Sequence, residues 1–164
     1  MALLPVANMH IYIGAVLEPT SADCVAGDFT AANASPDSWI NIDGWVNMGP
    51  VGDAVNLITT ALINRGRDTH QKGTASAPTM SNTFTIIAAD AGQTALRVAA
   101  AASNKANYSF KIVGNEPSPI VNPSIIYFSG LVMGAPEQGG GANTIRTLNA
   151  NIQVNSNVVF VAAS

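Results

Sequence analysis

His10, His70, Cys24 and the run Gly139-Gly140-Gly141-Ala142-Asn143 are the positions at which this sequence could host chemistry. The two histidines stand far apart, with no cysteine or carboxylate at a metal-ligand spacing, so neither zinc binding nor general-base work finds its usual constellation. Serine is plentiful, but no G-x-S-x-G turn is present to expose and activate one of them. The glycine run lacks the Lys and Ser/Thr that complete a phosphate cradle, and it reads as a loop tip. Carboxylates are scattered from Glu18 to Glu137, and no pair is marked by local sequence. No catalytic residue, cofactor or metal is expected, and the distinctive residues that remain must act by contact.

Three groups of residues suit contact. Trp39 and Trp45 fall in SWINIDGWVNMGPVG (38–52), in a chain that is otherwise poor in aromatics. Large rings mixed with Asn and Asp are what a subunit boundary favours. Arg65, Arg67 and Lys72 place three of the seven positive charges within eight residues, RGRDTHQK. They form either a solvated loop or a cationic peg for an acidic patch on a neighbour. In TLNANIQVNSNVVFV (147–161), Leu148, Ala150, Ile152, Val154, Val158 and Phe160 alternate with Asn149, Asn151, Gln153, Asn155 and Asn157. One phase is core, while the other carries no charge over roughly 30 Å of strand. Such a face offers hydrogen bonds but no cation for a phosphate to exchange with, so a polyanion would slide past it.

The composition agrees with a contact role. Charged residues make up 10% of the chain against 48% hydrophobic, well under the roughly 25% usual in soluble proteins. A surface so short of charge is expected to be covered by partners. The net charge of -3 excludes a protein that grips nucleic acid through clustered cations. Cys24 has no partner for an intrachain disulfide, which fits a reducing compartment or indifference to redox. MALLPVANMHIYIGAV lacks a basic leader region and is interrupted by Pro5, Asn8 and His10, so it reads poorly as a signal peptide. No apolar run reaches the ~20 residues that span a bilayer. A cytoplasmic product without a membrane anchor is expected.

The elements that must position these residues follow from periodicity. The length suits one domain over 1–164. Residues 9–17 predict a strand, and 18–38 a long loop of small and turn-forming residues. From Trp39 the alternation predicts one kinked strand, with Gly44 as a bulge; a tight hairpin at Asp43-Gly44 competes with it. Val55 to Ile63 is apolar on both faces and predicts a central strand. A polar loop over 64–78 leads to a half-buried strand at TMSNTFTII, with Thr79, Ser81, Thr83 and Thr85 opposite Met80, Phe84 and Ile86. One helix is predicted at about 91–106, with Asp90 as N-cap and Gln93 at the capping-box position; Ala91, Ala95, Leu96, Ala99 and Ala102 form its apolar stripe. Strands return at NYSFKIV, SIIYFSGLVM and the closing amide ladder, with another loop at about 134–146. The fold class is α+β, mainly β: an antiparallel sandwich or barrel with one flanking helix.

The order of these features resembles the major tail tube proteins of long-tailed bacteriophages. The resemblance rests on Trp39, the GPVG corner, Thr59-Thr60-Ala61-Leu62, the Gly66-Arg67 loop ending in Lys72-Gly73, the strand to Ile87, one helix and YSFKIV. It continues through Tyr127-Phe128-Ser129-Gly130, a glycine-rich loop containing Asn143 and the alternating final strand, and so runs from Trp39 to the C-terminus. Trp45 stands where a smaller aliphatic residue is expected, and 18–38 has no counterpart. The resemblance implies hexameric rings that stack into a hollow tube around a tape measure protein, meet terminator and tip proteins, and later conduct DNA. It implies a place in the virion tail after assembly in the host cytoplasm, and a long loop, here about 64–78, that reaches the adjacent ring. Inner tubes of contractile tails and secretion machines share the pattern. A second reading is a carbohydrate- or receptor-binding β-domain in which Trp39 and Trp45 stack on sugar rings.

Overall fold

The computed structural model describes residues 4–20, 23–116 and 120–164. Residues 1–3, at the start of the stretch that reads poorly as a signal peptide, and two positions of the expected loop (21–22) therefore lie outside the described residues. In chain order the elements are β1 (His10–Val16), α1 (Ala26–Ala32), a 3-10 turn (Pro36–Ser38), β2 (Ile40–Asn41), β3 (Trp45–Asn47), β4 (Ala54–Leu62), β5 (Arg67–Ser76) and β6 (Thr79–Thr85). They are followed by α2 (Ala91–Ala99), β7 (Tyr108–Val113), β8 (Ile125–Gly134), β9 (Glu137–Gln138), β10 (Thr147–Val154) and β11 (Val159–Val161).

Nine strands form one antiparallel sheet in the order β2-β1-β7-β8-β10-β6-β3, with β11 also on β8 and β9 on β10. β2 and β3 are neighbours in sequence but lie at opposite ends of this order. The sheet must therefore curl until Ile42-Asp43-Gly44 touches both edges: the Ile42 N–H donates to Ile11 O (2.9 Å), and Gly44 O accepts from the Thr85 N–H (2.7 Å). The barrel stays open, because β2 and β3 do not pair with each other. The stretch 39–48 is thus neither one kinked strand nor a hairpin. Gly44, at φ 78°, sets the break, and a Cβ there would press on the Thr85 carbonyl.

Alternation places the core as expected along β6, β7 and β10. Met80, Phe84, Phe110, Ile112, Leu148, Ala150 and Ile152 are all buried, with Phe110 stacked on Phe128 at 5.3 Å. The ladder ends at Val154, however. The Asn155 and Ser156 N–H groups both donate to Ser129 O, which bends the chain before β11, and Phe160 is left 66% exposed rather than in the core.

Helix α2 covers this core. The Asp90 carboxylate caps it by accepting the Gln93 N–H (2.7 Å). It stops at Ala99, short of the expected 106, where the Val98 carbonyl accepts both the Ala101 N–H (3.3 Å) and the Asn104 amide (3.2 Å). Its buried stripe is Gly92, Gln93, Leu96 and Ala99, while Ala91 is exposed. Gly92 lies so close to β2 that a Cβ would overlap the Asn41 carbonyl. Gln93, 1% exposed, does not complete a capping box. Its Nε2 donates to Asp43 O (3.0 Å) and Thr85 O (2.8 Å), and its Oε1 accepts the Ile87 N–H (3.3 Å). One side chain thereby ties the edge-to-edge segment to β6.

The segment expected as a loop at 18–38 is a strap over the opposite face, built from α1 and the 3-10 turn. Phe29 is fully buried and stacks on Tyr127 at 5.4 Å. Asn33 accepts the Ala15 N–H (2.7 Å) and donates to Ser109 Oγ (3.0 Å), and Asn157 pairs with both backbone groups of Cys24. Beneath the strap the strands carry small residues: Gly14, Ser109 and Ser129. A Cβ at Gly14 would collide with Asn33, Ser109 and Trp39.

The largest departure is β4. It is not a central strand; it pairs only with β5, as a separate two-stranded ribbon. The expected polar loop at 64–78 is the second arm of this ribbon, turning at 63–66 with Gly66 at φ 59°. Val55, Leu57, Ile58 and Ile63 are exposed on it. Two-sided apolar character predicts removal from water, but among the described residues nothing covers these side chains. In the third expected loop, 134–146, β8 runs on to Gly134 and the short β9 pairs with β10 before the glycine run.

Replacing Gln93 with Leu should leave the Ile87 N–H and two carbonyls without their partner, at a cost of about 3 kcal/mol. Urea unfolding would measure it, and Thr94→Ala on the exposed side of α2 should cost far less.

Candidate interaction surfaces

The ribbon is the first surface. Arg65 lies in its turn, Arg67 opens β5 opposite Leu62, and Lys72 sits farther down opposite Leu57. All three are exposed. Among the described residues the ion pairs are Arg97–Glu137 (2.6 Å) and Arg146–Glu137, so none of the three arm cations is paired. His70 also lies on the arm, with Nδ1 3.1 Å from Thr59 Oγ1.

The second surface is the outward face of the β6–β10 ladder. The register pairs Thr85 with Thr147, Thr83 with Asn149, Ser81 with Asn151 and Thr79 with Gln153. All eight are hydroxyl or amide residues, which doubles the width of the uncharged face read from β10 alone. Thr79 Oγ1 donates to Gln153 Oε1 (2.6 Å), Gln153 Nε2 donates to Ala77 O (3.1 Å), and Asn149 Nδ2 donates to Gln138 Oε1 (2.9 Å). These bonds tie the Asn149 and Gln153 amides to neighbouring residues of the sheet. Asn155 and Asn157 lie past the end of the strand: Asn155 donates to Asn107 Oδ1 (3.2 Å), and Asn157 holds the strap.

The tryptophans occupy different places. Trp39 is half-buried, packs on Tyr127 at 6.1 Å and has Lys111 Nζ over its ring at 4.8 Å. Lys111 also lies 4.6 Å from the Tyr12 ring, and burial pushes its pKa down. Trp45 stacks on Phe84 at 6.5 Å, and its Nε1 donates to Asn82 Oδ1 (3.2 Å). The break at Gly44 sends the two indoles to opposite edges of the sheet, so they form no joint platform.

Asn82, 1% exposed, is a site residue that the sequence reading passed over; it also accepts the Gly49 N–H (3.2 Å). Its signal was a polar residue on the Met80–Phe84 phase of β6. Glu137 bridges α2 and the segment after the glycine run through Arg97 and Arg146, and the Arg146 hydrogen bond is the main reason its carboxyl titrates below the ordinary range. Burial raises the Cys24 thiol, which is therefore not activated. Among the described residues no three His, Cys, Asp or Glu side chains gather where they could hold a metal, and no helix is long and apolar enough to cross a membrane.

A curled antiparallel sheet, one helix over its core and a detached β-ribbon define the class: this is the fold of tail tube proteins. In particular, the chain is similar to the cap of the anti-feeding prophage, described as its tube terminating cap (TM-score 0.69, 10% identity, 99% of this chain and 93% of that chain). It is similar to the sheath/tube terminator structure of the PVC extracellular contractile injection system (TM-score 0.69, 10% identity, 99% of both chains). It is also similar to the SPP1 tail tube (TM-score 0.66, 10% identity, 98% of this chain and 80% of that chain). At this identity the likeness is one of fold. No protein-family model matches the sequence, and no curated protein matches it either.

Trp45→Phe keeps the stacking on Phe84 but removes the indole N–H, leaving Asn82 Oδ1 with the Gly49 N–H alone, and should lower stability by about 1 kcal/mol. Asn82→Leu strands the Gly49 N–H as well and should cost more, and adding Trp45→Phe to it should cost less than in the wild type, as a double-mutant cycle in urea would read.

Proposed function

We propose that this chain is a structural subunit of a phage-type tail, forming hexameric rings that stack into a tube through which DNA is ejected. The observation that carries the reading is the β4–β5 arm. A two-stranded ribbon with both faces in water is marginal on its own, and exposing Val55, Leu57, Ile58 and Ile63 only makes sense when a neighbouring copy covers them. The fold likeness to tube and terminator structures over nearly the whole chain supports the same reading.

In this arrangement the arm, with Arg65, Arg67 and Lys72, makes contacts between subunits, and Trp39 and Trp45 brace the sheet edges that meet the next copy. The uncharged face lines the channel, with Asn149, Asn151 and Gln153 beside Thr79, Ser81 and Thr83, and Asn155 and Asn157 at its rim. Hydroxyls and amides there contact a passing polyanion without capturing it. The tube would enclose a tape measure protein, end on terminator and tip proteins, and reside in the virion after assembly in the host cytoplasm. It works without turnover or cofactor. A sugar-binding reading is not favoured, because the indoles stand apart and each packs within its own chain.

Electron microscopy and light scattering of the concentrated protein should show rings or tubes, and a monomer at every concentration would overturn the proposal. Leu57→Asp with Ile63→Asp should abolish assembly while shifting the melting temperature by no more than about 2 °C, since neither side chain packs within the chain. A reconstructed ring with the β6–β10 face turned outward would refute the channel assignment alone.

A further inference from the structure

The arm is unequal in charge at its two ends: the tip carries Arg65 and Arg67 against the single carboxylate Asp68, while Asp23 and Asp53 stand at the base with Lys72 three residues up the ladder, opposite Leu57. At the tip, Ile63 is fully exposed and the Arg65 and Arg67 guanidinia have no ion-pair partner among the described residues. At the base, where Ala54 pairs with Ser76, lies a cleft of about 420 Å³ lined by Asp23, Asp53, Ser76, Ala77, Gln153 and Asn155. Its two carboxylates come from distant parts of the chain and are fixed by one bend. Asn157 clamps the backbone of Cys24, next to Asp23, at 2.7 and 2.9 Å, and Asp53 Oδ2 accepts the Val158 N–H at 3.5 Å. Neither aspartate is ion-paired among the described residues. Ala75, Ala77 and Val154 add a smaller apolar share to a mostly polar lining.

The tip and base of one arm cannot meet each other. The ladder from Ala54 to Leu62 holds them roughly 30 Å apart, so the complementarity is usable only between copies. We propose that the arm tip of one copy docks in the cleft at the arm base of the next, with Arg65 and Arg67 facing Asp23 and Asp53 and Ile63 against Ala75, Ala77 and Val154. The occupant is a second copy of this chain. Because the two surfaces differ, the contact is heterologous and propagates from copy to copy rather than closing into a two-fold dimer. This rests on the assembly reading above and names the partner surface within it.

The asymmetry supplies the test. Full-length Arg65→Glu/Arg67→Glu carries an acidic tip and an acidic base, and full-length Asp23→Arg/Asp53→Arg carries a basic tip and a basic base. Each alone should need about tenfold or more higher concentration to assemble, with an unchanged circular dichroism spectrum, since all four side chains are exposed and the one bond lost is the 3.5 Å contact of Asp53 with the Val158 N–H. An equimolar mixture of the two restores every tip-to-base pairing in alternation and should assemble near the wild-type concentration, less well at 1 M salt, where screening shortens to about 3 Å. If the wild type assembles but either variant alone assembles equally well, or if the mixture stays dispersed, this docking site is wrong while the assembly reading stands. If the wild type never assembles, both fall together.

Discussion

The Gln93 carboxamide is the constraint on which the curled sheet depends. β2 and β3 are two and three residues long, too short to hold the sheet edges by their ladders alone. Beyond one backbone bond to each edge, the segment between them is held by one side chain, buried beneath α2, that satisfies a donor on one side and two carbonyls on the other. A buried amide of this kind is costly unless fully bonded, and Gln93 has partners at both of its ends. Gly92 lets the helix come close enough for the reach, and Asp90 sets where the helix starts. Asp90, Gly92 and Gln93, within one helical turn, thus help to set the curl of the sheet.

Two kinds of surface result. Where the chain can complete its own packing it does so with amides and small residues, as the strap over Gly14, Ser109 and Ser129 shows. Where it cannot, it projects apolar and cationic residues on a ribbon. The sparse charge of the sequence is therefore unevenly spent: Arg97 and Arg146 are tied to Glu137, and the arm holds three more cations in the open. The eight-residue hydroxyl and amide face needs none, because its side chains bond along the sheet.

Strand alternation made β6, β7 and β10 legible, and Asp90 marked the helix start, because those signals are local. Three things were not local. Val55 to Ile63 announces burial, but periodicity is silent on whether the cover comes from the same chain. Trp39 and Trp45 share a phase on paper, and a single positive φ at Gly44 cancels it. The 18–38 segment reads as small and polar, while its order comes from Phe29 and from partners more than seventy residues away, such as Ser109 and Asn157. Of the contact residues, the basic arm positions and the β10 amides were visible by type, whereas the β6 hydroxyls that widen the same face needed the register.

The bond between Asn157 and the backbone of Cys24 spans 133 positions. A nascent polypeptide emerging from a ribosome can form the β4–β5 ribbon early, since its contacts are close in sequence. The strap and the aspartate beside Cys24 cannot be seated until Asn157 has been translated. Incomplete chains thus display the ribbon before the cleft at its base has taken shape.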